Sequence, residues 1–234
     1  MYSGLKITPP FFEVGPKAYL YGEDALRLAK HADRLGRKYD VQILFTPQAV
    51  DIRMIAAGTK NILVFAQHVD SLRVGRGTGS VLPEAVKAAG AAGVLLNHAE
   101  KKLPLEELKR TIKRADEVGL ASMACADNLE EAAEVAYMNP NIIIAEAPEL
   151  IGAGKRSVDD QQVIGRINRT VWEINPDIRV LHGAGISNGQ DVYNVIAAGA
   201  QGTGSTSGIL LADDPFRILE DMIRSVRSAW DQTY

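Results

Sequence analysis

The chain has 234 residues, with 26 Lys and Arg against 29 Asp and Glu, and 46% of it is hydrophobic. A net charge of −3 leaves no basic excess for a nucleic-acid backbone, no acidic block suggests a disordered tail, and no apolar run approaches the roughly 20 residues of a membrane span. The one cysteine, Cys125, excludes an internal disulfide, so a reducing cytoplasm is the expected compartment; within its apolar run it reads as core filler.

Short apolar runs alternate along the chain with longer segments of period near 3.6. The predicted strands are FFEV (11–14), VQILF (41–45), NILVFAQ (61–67), GVLLN (93–97), LASMAC (120–125), IIIA (142–145), IRVLH (178–182) and QGTGST (201–206). Between and after them fall predicted helices over 23–38, 50–58, 82–90, 105–119, 128–138, 159–174, 188–199 and 214–230. The strands are apolar nearly throughout, as in a parallel sheet covered on both faces. These βα units fit an α/β fold, a closed (β/α)8 barrel spanning residues 1–234 as one domain, near the lower end of the usual size. A doubly wound open sheet is the other architecture the pattern allows. The first dozen residues lack the layout of a signal peptide. They and the tail DQTY are expected to be loose ends.

In a barrel the site lies where the strands end. After strand 1 comes Lys17, which taken alone also reads as a surface lysine. The long loop after strand 3 carries Gly75, Gly77 and Gly79; loops of this length are functional, interfacial or slack. After strand 4 comes His98, followed by Glu100, Lys101 and Lys102. Strand 6 ends on Glu146, a carboxylate projecting from a rigid apolar edge, where desolvation raises its pKa toward that of a useful base. Gly152 and Gly154 hinge the far end of the loop that follows, and Pro148 stiffens the near end, the layout of a lid that excludes water. After strands 7 and 8 come GAGISNG and GSTSG, with Gly183, Gly185 and Ser187 in the first. Such turns hold a phosphate through backbone N–H groups, or are simply tight turns.

The segments FAQHVD (65–70), GTGSVLPEAVKAAG (77–90), LLNHAEKKL (95–103), EAPELIGAG (146–154) and GAGISNGQDV (183–192) together resemble the triosephosphate isomerase family in its shorter, archaeal-type form. The resemblance implies a TIM barrel that interconverts aldose and ketose forms of a small sugar phosphate through an enediolate, as a homodimer or homotetramer, with neither metal nor organic cofactor. It matches Glu146 to the catalytic base, His98 to the electrophile, Lys17 to the lysine facing enediolate and phosphate, and Glu100 to the acid that follows the histidine and stands behind the residues that touch substrate. It further matches Gly152, Gly185, Ser187, Thr206 and Ser207 to the phosphate site, and Thr78 to a loop tip that reaches a neighbouring subunit.

Four departures stand against that pattern. Gly15-Pro16 precedes Lys17 where the family has Asn and an aromatic or apolar residue. Ala99 replaces the serine after the histidine, Arg76 and Gly77 replace Ser-His, and Ala147 and Ala153 replace Pro and Thr in the lid. The missing Asn side chain is expected to leave room in the pocket. This keeps open isomerisation of a longer substrate such as a tetrulose phosphate, or a phosphate-ligand binder with little turnover.

Overall fold

The computed structural model describes residues 1–146, 158–183 and 185–234, with 158–161 described by backbone only. Strands β1 (Phe11–Val14), β2 (Gln42–Phe45), β3 (Leu63–Ala66), β4 (Gly93–Leu96), β5 (Ala121–Ala126), β6 (Ile142–Ala145), β7 (Arg179–His182) and β8 (Gly202–Ser205) close into a parallel barrel in sequence order. β1 pairs with β8 from Phe11↔Gly202 to Val14↔Ser205, which rules out the open sheet. The helices are α1 (Gly22–Tyr39), α2 (Ile52–Gly58), α3 (Pro83–Ala88), α4 (Leu105–Val118), α5 (Leu129–Ala136), α6 (Val158–Ile174), α7 (Gly189–Ala197), the short α8 (Ser207–Leu210) and α9 (Pro215–Thr233).

The two-residue period of a strand sorts the apolar side chains into two cores. Phe11, Leu44, Phe65, Leu95, Met123, Cys125, Ile144 and Leu181 fill the barrel interior. Phe12, Ile43, Val64, Val94, Ala124 and Ile143 pack outward against the helices. Cys125 is buried, and burial pushes its thiol well above the usual range, so it is core filler as expected. Helix ends follow local chemistry. Asn128, Asn188 and Asp214 accept amide hydrogens at the starts of α5, α7 and α9, and Gly119 takes a left-handed φ of 79° after α4.

The termini differ from expectation. The Met1 ammonium pairs with Asp116 at 2.7 Å, Asn141 Nδ2 donates to the Tyr2 carbonyl at 2.7 Å, and Ile7 is buried. Tyr2, Leu5 and Ile7 pack on the interior core. The reason is physical: the large apolar residues inside the barrel need a cover at the end away from the strand C-termini. At the other terminus, α9 continues through most of the tail.

Inner-layer volume is balanced between neighbouring strands. Phe11 and Glu13 of β1 stand beside Gly202 and Gly204 of β8. A Cβ on Gly202 would lie 2.4 Å from the Phe11 ring, which is fully buried. Gly202→Ala is therefore expected to cost about 1–3 kcal/mol by overpacking, read as a lower urea midpoint, and Phe11→Leu in the same chain to recover part of it.

Candidate active site

Lys17, His98 and Glu146 leave three distant segments and line one cavity of about 620 Å³ at the C-terminal mouth of the barrel. His98 follows β4 and precedes a 3-10 turn, Ala99–Lys101. The Glu100 amide donates to His98 Nδ1 at 3.1 Å, so in the neutral ring the proton sits on Nε2. Desolvation, and then the nearby Lys17 ammonium, hold the imidazole below its usual pKa, so it is uncharged at neutral pH. Its Nε2 lies 3.8 Å from Glu146 Oε2. The Glu146 amide donates to Ala126, which fixes the strand end. A Cβ on Gly183 would stand 2.7 Å from Glu146 Oε1, so the bare residue after β7 leaves the carboxylate its space.

Lys17 has the left-handed φ of 47°, uncommon for a residue with a side chain. Surrounding groups over-determine that conformation. Its carbonyl accepts from Gln48 Nε2 at 2.8 Å and from Gln67 Nε2 at 3.0 Å, and the Thr206 hydroxyl donates to the Gly15 carbonyl at 2.7 Å. Lys17 Nζ meets Glu100 Oε1 at 2.7 Å, and that hydrogen bond holds Glu100 below the usual carboxylate range. The Glu100 side chain is 63% exposed, so solvent screens the pair and its worth lies in direction rather than in stability.

The turns after β7 and β8 are locked together. The Ser205 hydroxyl donates to the Ile186 carbonyl at 2.8 Å, and a Cβ on Gly208 would lie 2.6 Å from the same oxygen. Gly185 takes a left-handed φ of 74° that suits its lack of a side chain. Gly185, Ser187, Thr206 and Ser207 all line the cavity. The Ser187 amide already donates to Asp191 at 2.9 Å, and the Thr206 hydroxyl is spent on Gly15. Gly152 lies outside the described residues, as do Ala147, Pro148, Ala153 and Gly154 of the expected lid. Thr78 stands apart from the cavity, in the exposed run 73–80. The neck of that loop is pinned, with Asp70 Oδ2 accepting from the Val81 amide at 2.6 Å and Arg114 Nε donating to the Leu72 carbonyl at 3.0 Å.

Residues 16–225 match the family model of triosephosphate isomerase. Over 213 residues the chain is 42% identical to the triosephosphate isomerase of Methanobacterium bryantii, covering 90% of this chain and 94% of that one.

The chain belongs to the triosephosphate isomerase family.

It is also 40% identical over 203 residues to the enzyme of that name from Methanothermus fervidus, covering 86% of this chain and 91% of the other. With that of Sulfurisphaera tokodaii it shares 38% over 229 residues, covering 97% and 99%.

In this triosephosphate isomerase family member the cavity is also lined by Glu13, which no motif in the sequence marks. Glu13, in the middle of β1, points inward at the top of the barrel. Thr46 Oγ1 donates to its Oε1 at 2.5 Å. Desolvation pushes its pKa up to about 7 against the pull of that hydrogen bond, with Glu146 adding to the rise and Lys17 opposing it. The expected space beside Gly15 is therefore occupied: a Cβ there would stand 2.6 Å from Glu13 Oε1. The same carboxyl has pKa 4.5 in the unfolded chain, so folding binds its proton more tightly. Its destabilising effect is absent below about pH 4.5, grows as the pH rises, and levels off above about pH 7. Glu13→Gln is expected to raise unfolding free energy by up to about 3 kcal/mol at pH 8 and little at pH 4, read from urea melts at both.

Proposed function

We propose that this chain interconverts glyceraldehyde 3-phosphate and dihydroxyacetone phosphate through an enediolate. Glu146 takes the proton from the carbon beside the carbonyl. His98, neutral with its proton on Nε2, donates to the carbonyl oxygen and passes protons between the two oxygens. The Lys17 ammonium faces the negative charge that develops. Glu100 holds Lys17 and, through its amide, the tautomer of His98. Gly152, Gly185, Ser187, Thr206 and Ser207 form the phosphate site, with Ser187 offering its hydroxyl and Thr206 its amide, since the Ser187 amide and the Thr206 hydroxyl are engaged within the protein.

The observation that carries this reading is convergence. A carboxylate and an imidazole 3.8 Å apart share one cavity with an ammonium, each brought by a different strand. Proton abstraction next to a carbonyl needs that set: one base for the proton and fixed donors for the oxygen that becomes negative. The Glu13 carboxyl, 2.6 Å from where a Cβ on Gly15 would stand, narrows the room that favours a tetrulose phosphate.

The test is steady-state isomerisation of glyceraldehyde 3-phosphate beside tetrulose and pentulose phosphates, with Glu146→Asp as control. Triose turnover that collapses in the control supports the proposal. Strong turnover of tetrulose phosphate with weak triose turnover selects the longer substrate. No turnover on any of them, with sugar phosphates still raising the melting temperature, selects a binder. The proposal includes a single barrel domain over 1–234, a cytoplasmic setting, and a homodimer or homotetramer whose contact includes Thr78. The exposed loop around it also presents Val74, 73% exposed. Among the described residues no helix is long and apolar enough to cross a membrane.

A further inference from the structure

Glu13 has no part in the chemistry assigned above, yet it lines the same cavity as Lys17, His98 and Glu146. Its seat is built for it. β8 presents Gly204 at the paired position, where a Cβ would come within 2.9 Å of Glu13 Oε2. Gly15 keeps clear above it, and Thr46 Oγ1 donates to Oε1. Two bare positions and one donor fix the carboxyl on the cavity floor.

We propose that Glu13 is a further substrate-binding residue, which in its protonated form donates a hydrogen bond to an oxygen of the bound sugar phosphate.

The charges around it favour that form. Glu146 faces it from the end of β6, and Lys17, on its own strand's loop, is engaged by Glu100. β2 contributes the neutral Thr46 and β8 only glycine. Across the cavity β4 brings His98, held neutral, and β5 places the neutral Cys125 thiol nearby. The substrate adds a phosphate and the reaction adds an enediolate. A second ionised carboxylate on the floor would repel both, whereas a neutral carboxyl offers a donor to either oxygen. Thr46 occupies Oε1 as acceptor, which leaves the proton to Oε2. Glu13 keeps its proton throughout, and the transferred proton belongs to Glu146. With its pKa at about 7, the group titrates across neutrality and is largely ionised above it.

The proposal rests on the isomerase reading, and two measurements separate their failures. The first is the pH dependence of kcat/KM for glyceraldehyde 3-phosphate in the wild-type chain, Glu13→Gln and Glu13→Leu. Gln is a permanent neutral donor of nearly the same shape. The ratio of Glu13→Gln to wild type is expected to rise about tenfold or more between pH 6 and 8.5, as each pH unit above the pKa removes about tenfold of the protonated form. Glu13→Leu is expected to be impaired at every pH. The second is binding of 2-phosphoglycolate, a small phosphate ester whose carboxylate imitates the enediolate, by calorimetry over the same range. The wild type is expected to weaken across pH 7 relative to Glu13→Gln. The binding arm reads Glu13 even in a chain without turnover, so its step at neutral pH can stand while the isomerase reading falls. Parallel profiles for wild type and Glu13→Gln in the binding arm, or equal losses for Gln and Leu at all pH values, overturn the assignment and leave Glu13 a packing residue.

Discussion

Glu146→Gln is expected to lower kcat for glyceraldehyde 3-phosphate by about 10²–10⁴-fold, the range a positioned general base supplies, while KM moves by only about a few-fold because the base acts in the transition state and adds little to ground-state binding. The amide keeps the shape of the carboxylate and cannot take a proton. Its place at the corner between Ala126 and Gly183 is preserved, so the loss reports chemistry and not collapse of the site. The check is a coupled turnover assay together with hydrogen–deuterium exchange at the reacting carbon in D2O, and both readouts should fall by the same factor. Full exchange with lost turnover would place the base elsewhere. Glu146→Asp tests position instead of basicity, since it withdraws the same group by one methylene from His98, now 3.8 Å away. Near-attack geometry tolerates such a shift poorly.

The barrel was legible because its signals are local and repeated. Each apolar run is short, each following segment has a helical period, and most strands, buried on both faces, are apolar nearly throughout. Closure itself is not local: it depends on β1 meeting β8, and the pairing of Phe11 and Glu13 with Gly202 and Gly204 becomes visible only when the two strands lie side by side. The termini were misjudged for a related reason. Nothing in MYSGLKI is periodic, and its burial comes from a barrel floor assembled from strands far along the chain. At the site, the rule that found Glu146, a polar residue where an apolar strand ends, applies equally to Thr46 and Gln67, which tie down Glu13 and Lys17. Glu13 escaped it by lying inside a strand. Its signal was an acid two residues after Phe11 on the inward phase, in a run with no other charge. Gly15 read as a loss because a missing side chain shows in the sequence while the neighbour that fills its place does not.

Lys17→Met carries the second large expectation, a fall in kcat/KM of about 10²–10³-fold, the usual cost of removing one fixed donor aimed at a developing oxyanion. Methionine keeps the length of the lysine stem and, like lysine, has a side chain at a φ of 47°, so the backbone conformation imposed by Gln48, Gln67 and Thr206 costs both residues alike. The difference measured is then the ammonium. It should appear in KM as well as kcat, because the same charge faces the phosphate of the substrate and the enediolate, whereas Glu146→Gln should act on kcat. Glu100→Gln separates the ammonium from its partner. The exposed pair contributes little by itself, so that variant is expected to lose only about a few-fold through a less well directed lysine. Another cation at the cavity, Lys101, closes the 3-10 turn after His98. Should Lys17→Met lose less than tenfold while Lys101→Met loses more, the developing charge is met from the β4 side, and Gly15-Pro16 marks a real transfer of that task away from strand β1.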